Sequence, residues 1–210
     1  VGIAGAAEGE IVKILAFSDL HLSQGYAADL VAASENADLV IGAGDFCNHR
    51  QGLKQAMALL DGITAPMIVV PGNAESDEEL RQAVGKGATV LHGRGTTVEG
   101  LRIFGLGYGV PVTPFGDWSC DLSEAEAETL LNACTDADIL ITHSPPKGVA
   151  DVTSQGASVG STAIRAAIER LQPELVLCGH IHDSWGQRGM IGNTLVVNLG
   201  PTPNWFEVGP

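Results

Sequence analysis

Ile11-Val12-Lys13-Ile14-Leu15-Ala16-Phe17-Ser18-Asp19-Leu20-His21 decides how the chain is read. The apolar run Ile11 to Phe17 predicts a buried β-strand, and it ends directly on an Asp-x-His pair. Working outward, four more apolar runs end the same way: Leu39 to Ala43 on Gly44-Asp45, Met67 to Val70 on Gly72-Asn73, Ile139 to Thr142 on His143, and Leu175 to Cys178 on Gly179-His180-Ile181-His182. A lone Asp-x-His commonly solvates a turn. Five strand ends in series carrying carboxylate, carboxamide and imidazole groups point to one shared site, because ligand sites of open α/β sheets lie beyond the carboxyl ends of the strands.

The segments between these runs have helical spacing. Helices are predicted over Ala27 to Ser34, over Gln51 to Leu60 with Leu53, Met57 and Leu60 on one face, over Glu78 to Val84, from Ser123 to about Ala133, and over Ser161 to Leu171. Ser76 with Glu79 and Ser123 with Glu126 have the spacing of capping boxes. Strand and helix therefore alternate as in a doubly wound sheet. Thr89 to Leu91, Thr96 to Val98 and Arg102 to Leu106, with Gly100 at a turn, predict hairpin pairing in a second sheet. Ser184 to Arg188 and Thr194 to Leu199 flank Gly192-Asn193 as a terminal hairpin. The expected class is α/β, with two mixed β-sheets packed together and flanked by helices, as one domain over residues 1–210.

Composition narrows the partners. In 210 residues, 45% are hydrophobic and 17% charged, enough for a sizeable core and too apolar for a disordered chain. Acids outnumber bases 25 to 11, for a formal charge of −14, so duplex nucleic acid and anionic membranes are repelled. Cys47, Cys120, Cys134 and Cys178 have no CxxC spacing and are expected as reduced, buried thiols. Val1 to Glu10 lacks a basic segment, and no run reaches the length of a membrane span, so a cytoplasmic protein is expected. The pattern leaves oligomeric state open.

Aspartate and histidine two apart share one side of an extended strand end, so Asp19 with His21, and His180 with His182, are expected to aim at one point. Asp45 is placed to bridge two cations. Nitrogen and oxygen donors without thiolate suit two divalent ions, with manganese favoured over iron or zinc. Two divalent cations set against Asp19, Asp45 and one hydroxide leave about one positive charge, so a small phosphorylated substrate is attracted despite the acidic exterior. Such a pair, roughly 3.5–4 Å apart, can activate a bridging hydroxide for in-line attack on phosphorus.

On these motifs the chain resembles the calcineurin-like metallophosphoesterase superfamily, whose signature runs DxH, GD, GN, H and GHxH. The likeness extends from Ile11 to Pro201. It implies that Asp19, His21 and His182 hold one metal, that Asn73, His143 and His180 hold the other, and that Asp45 bridges. Catalysis would then run through Asp45, Asn73 and His143. It also implies a four-layer core of two sheets between helices.

One position departs from the pattern. Many members carry histidine after the asparagine, where it protonates the leaving group, whereas here the segment is Gly72-Asn73-Ala74-Glu75. Loss of a general acid costs about 10²–10⁴-fold in rate and matters most for poor leaving groups. The resemblance thus favours a phosphodiesterase acting on small phosphodiesters, cyclic nucleotides among them. The alternatives are a phosphomonoesterase or protein phosphatase of the same fold, and a metal-binding scaffold without catalysis. His49, four residues beyond Asp45, is a candidate replacement acid, set against the reading of a solvated loop histidine. His92 is expected to be structural, and Lys147 to lie on a surface. Gly107 to Cys120 is a long loop suited to wall a pocket, in which Tyr108, Phe115 and Trp118 either stack on a ligand or cover the sheet.

Overall fold

The computed structural model describes residues 11–209, so the reading made of Val1 to Glu10 lies outside the described residues. Two mixed sheets form its centre. The first has the order β11-β1-β2-β3-β4, built from β1 (Val12–Phe17), β2 (Leu39–Gly42), β3 (Met67–Val69), β4 (Ala88–Val90) and β11 (Asn204–Val208). The second has the order β5-β6-β7-β8-β10-β9, built from β5 (Arg94–Val98), β6 (Leu101–Leu106), β7 (Ile139–Thr142), β8 (Leu175–Cys178), β9 (Arg188–Ile191) and β10 (Thr194–Asn198). β1 to β4 run parallel and β11 joins β1 antiparallel. In the second sheet β6, β7, β8 and β10 run parallel, with β5 and β9 antiparallel at its edges.

The period-2 alternation of the strands explains the layering. Ile14 and Ala16 of β1 pack with Ile41, Ile103, Ile141 and Leu177 in the core between the sheets. Their neighbours Leu15 and Phe17 point the other way, onto α1 (Gln24–Ser34), α2 (Leu53–Ala58) and α3 (Asp77–Ala83). Leu140, Val176 and Val196 likewise turn outward, onto α4 (Glu124–Leu131) and α5 (Thr162–Leu171). Because β2, β7 and β8 are covered on both faces, every residue in them is buried, which is why they read as unbroken apolar runs. The capping boxes at Ser76 and Ser123 both form. Glu124 at the start of α4 accepts from Thr162 and Ala163 at the start of α5, at 2.9 and 2.8 Å, and ties the two helices together.

Several boundaries differ from the sequence reading. α1 begins earlier, at Gln24, because Ser23 caps it through the Tyr26 amide. α2 is shorter, since Gly52 is left-handed at φ 81° and starts the helix only at Leu53. β4 pairs parallel with β3 in the first sheet rather than joining the hairpin strands, because α3 provides a crossover that returns the chain beside β3. The hairpin around Gly192-Asn193 forms, but its first strand is Arg188–Ile191. Ser184 instead bonds both ways with the backbone of Val152, which holds His182–Ser184 as a 3-10 turn. Among the described residues no helix is long and apolar enough to cross a membrane.

Candidate metal centre

All five strand-end segments meet at one edge of the molecule. Backbone bonds join them: the Asp19 amide donates to Gly44 O at 2.9 Å, the His21 amide to Asp45 O at 3.1 Å, and the Gly179 amide to His143 O at 2.9 Å. The backbone there is not the extended strand end expected of Asp-x-His. Asp19, His21, Asp45 and His180 lie at φ 54°, 47°, 57° and 69°, so left-handed turns rather than strand pleat direct their side chains inward. Non-glycine residues adopt this region at a cost of order 1–3 kcal/mol each, and such strain collects at functional sites. Gly72 has to be glycine for a different reason: a Cβ there would meet the Asp45 backbone nitrogen at 2.2 Å and its Oδ1 at 2.0 Å.

The donor atoms converge in two overlapping sets. Asp19, His21 and His182 form one group able to hold a metal ion, and Asp19, Asp45 and His143 another. Asp45 faces both sides: its Oδ2 lies 3.7 Å from His21 Nε2 and its Oδ1 lies 3.4 Å from His143 Nε2. Asn73 Oδ1 is 3.1 Å from His143 Nε2, and the His180 ring stands 4.9 Å from that of His143. All seven sequence-predicted ligands are therefore brought together. Asp19, Asp45, Asn73 and His143 are buried, while His21 and His180 are half-buried and His182 lies at the rim.

The donors suit cations. His21 Nε2 and His182 Nε2 are 3.2 Å apart, and two imidazole nitrogens that close require a proton or a cation between them. No lysine or arginine lines the 350 Å³ pocket above these donors, although the buried carboxylate of Asp45 is part of its lining. Burial opposes ionisation of Asp45, yet the adjacent His143 charge and hydrogen bond hold its carboxyl well below the usual carboxylate range. Burial pushes His143 down, but Asp45 and Asp19 outweigh that and raise it to about 9. His180 goes to about 4, through burial and then the His143 charge.

A further layer of groups orients the ligands, and the sequence pattern passed over most of it. Ser18 Oγ and Trp185 Nε1 donate to Asp19 Oδ2 at 2.6 and 3.0 Å, leaving Oδ1 toward His182 at 3.7 Å. His143 Nδ1 donates to the Ala43 carbonyl at 2.8 Å, so Nε2 faces the site. His21 Nδ1 does the same with Cys47 O at 3.1 Å. Asn73 Nδ2 donates to Ser119 Oγ at 3.0 Å, which turns its oxygen inward. Glu75 is fully buried and accepts from the amides of Gly72 and Asp45 at 2.7 and 2.8 Å. Burial, then the Asp45 charge, raises its carboxyl to about 7.

The remaining candidates separate. His49 lines the pocket beside Ala74, its ring edge-on to Trp118 at 4.4 Å. Phe115 stacks on Trp118 at 5.7 Å and 9°, and both line the pocket, so the long loop does form a wall. Tyr108 does not: its hydroxyl accepts from the Asp77 amide at 3.0 Å and its ring lies against His92 at 4.3 Å. His92 Nδ1 accepts from the Gly107 amide at 3.1 Å, a structural role. Lys147 donates to the Ser158 carbonyl and Nζ is thereby engaged away from the ligands. All four cysteines are free thiols, with Cys120 only partly buried.

Comparison with known proteins agrees with this geometry. The calcineurin-like phosphoesterase family matches residues 12–184. The chain belongs to that family of metal-dependent phosphoesterases. It is 28% identical over 188 residues to a UPF0046 protein of Caenorhabditis elegans, a match covering 78% of this chain and 62% of that protein. It is 37% identical over 120 residues to the human metallophosphoesterase domain-containing protein 1, covering 54% of this chain and 35% of the other. The match thus spans less than two thirds of those relatives' length. Among solved structures, the protein TT1561 of Thermus thermophilus superposes with a TM-score of 0.71 at 17% identity, over 94% of this chain and 99% of that one. A dimetal phosphatase from Danio rerio gives 0.59 at 14% identity, over 91% and 88%. At those identities the likeness is one of fold.

Proposed function

We propose that this metallophosphoesterase chain hydrolyses small phosphodiesters at a two-metal centre. Asp19, His21 and His182 would hold one divalent ion, Asn73, His143 and His180 the other, and Asp45, whose two oxygens face different histidines, would bridge. Two such ions, manganese in the first instance, supply Lewis-acid stabilisation of the charge that develops on the phosphoryl oxygens. The observation that carries the diester reading is the pocket lining: Ala74 stands where the family pattern has a histidine, and no lysine or arginine joins it. A monoester near neutral pH carries close to two negative charges and a diester one, and the lining offers no lysine or arginine to meet the second.

His49 is the one titratable side chain of the lining that is not in the ligand set, and we assign it as proton donor to the leaving oxygen. A donor matters in proportion to the basicity of the leaving group. His49→Ala is therefore expected to lower kcat about 10²-fold or more for an alkyl ester and by only a few-fold for a p-nitrophenyl ester. Equal losses on both would remove His49 from this role.

The direct test compares bis(p-nitrophenyl) phosphate with p-nitrophenyl phosphate after manganese loading. Diester turnover is expected to exceed monoester turnover by about tenfold or more, the equivalent of 1.4 kcal/mol in barrier. A ratio below one would make the protein a phosphomonoesterase. Metal binding with no turnover of either would leave a scaffold. The charge of −14 argues against duplex nucleic acid as substrate, and the free thiols favour a cytoplasmic setting.

A further inference from the structure

Beside the metal pocket lies a larger cleft of 620 Å³. One wall is the segment Val110–Phe115, the other is the turn 153–159, and His180 with Ile181 closes its base. Phe115 and His180 line both cavities, so the two are continuous across those rings, whose centroids are 6.4 Å apart. The lining contains no aspartate, glutamate, lysine or arginine, on a chain with 25 acidic and 11 basic residues. Val112, Phe115 and Val159 present apolar surface there, at 63%, 50% and 37% exposure.

Both walls are held in place. The Thr113 amide donates to Asp121 Oδ2 at 2.9 Å, and the Ser154 amide to Asp183 Oδ2 at 2.8 Å. Thr153 and Ala157 close the turn between them through a backbone bond of 2.9 Å. A preformed apolar cleft of this size fits an organic group at little ordering cost. Its neutrality excludes a second phosphate or a carboxylate, which would need a cationic partner. A nucleic-acid strand would need a basic track along its backbone, and neither cavity lining supplies one.

We propose that this cleft is the subsite for a neutral apolar or aromatic ester group of the substrate, whose phosphoryl group sits at the adjoining metal centre. The inference rests on the phosphodiesterase reading above and adds the chemistry of the group that the phosphate carries. Phe115 and His180 form the threshold over which the ester bond lies. Selectivity then comes from apolar area removed from water on the far side of that threshold.

The test is a binding titration of the manganese-loaded protein with methyl phenylphosphonate and methyl methylphosphonate, monoanions like a diester, followed by calorimetry and independent of turnover. Methyl phenylphosphonate is expected to bind about tenfold tighter or more. The double variant Val112→Ser, Val159→Ser is expected to bring that ratio below about threefold, since both side chains are exposed in the cleft and their loss leaves the core intact. Met190→Ser, on β9 and 57% exposed outside the cleft, should keep the native ratio. Equal affinities in the native protein, or a ratio unmoved in the double variant, would overturn the subsite alone. Failure of both phosphonates to bind would overturn the phosphoesterase reading, and the subsite with it.

Discussion

Asp45→Asn is expected to lower kcat/KM for a phosphodiester by at least about 10³-fold, the equivalent of about 4 kcal/mol in transition-state stabilisation. The substitution is nearly isosteric. The amide oxygen can still accept from the Ala74 amide, which donates to Asp45 Oδ1 at 2.8 Å, so the loop keeps its shape. What disappears is the negative charge between His21 and His143, at 3.7 and 3.4 Å, and the second oxygen needed to face both metal sites. The same charge raises His143, so its loss lets that imidazole fall back toward its ordinary range. Bound manganese should drop below two per chain, measured by calorimetry and elemental analysis, with the circular dichroism spectrum unchanged. A variant that retains a tenth of the native rate with two bound metals would refute the bridging role.

The candidate ligand set was legible because it stands at strand ends, and strand ends are visible in sequence wherever an apolar run stops. Burial of β2, β7 and β8 on both faces makes those stops sharp. β11 was missed for the opposite reason. Asn204–Val208 lies at the sheet edge with alternating exposure, and its Asn, Trp and Glu residues break the apolar signal that the central strands carry. The conformation of the ligand loops was also hidden, since spacing cannot distinguish an extended Asp-x-His from one turned left-handed at φ 54° and 47°. Ser119 and Trp185 reach the candidate ligands Asn73 and Asp19 across 46 and 166 residues, and no local pattern reports such pairs. Glu75 had one available signal. It is an acid placed between the end of β3 and the Ser76 cap, where neither a strand nor the first turn of α3 has use for it.

Glu75→Ala is expected to destabilise the metal-free protein by roughly 3–5 kcal/mol, because the carboxyl is a buried acceptor shared by two loops. Its Oε1 receives the Gly72 and Asp45 amides at 2.7 and 2.8 Å and, more weakly, the Phe46 amide at 3.4 Å. Oε2 receives the Cys47 amide at 3.4 Å. Alanine leaves these donors buried without a partner, at about 1–3 kcal/mol for each strong bond lost. The loss is a large share of the roughly 5–15 kcal/mol typical of a domain and corresponds to a fall in Tm of about 10 °C or more. Glu75→Gln should cost far less, since it keeps one acceptor oxygen. With the native carboxyl raised to about 7, the neutral form is already well populated near neutral pH. Thermal unfolding of the two variants separates the roles: similar losses in both would mean that the charge matters, whereas a large loss in alanine alone means that the acceptor does. The same bonds fix Asp45 and Gly72 relative to each other, so the alanine variant should also bind manganese more weakly than the glutamine one. Comparable manganese affinity in both would show that Glu75 holds the fold without holding the metal ligands.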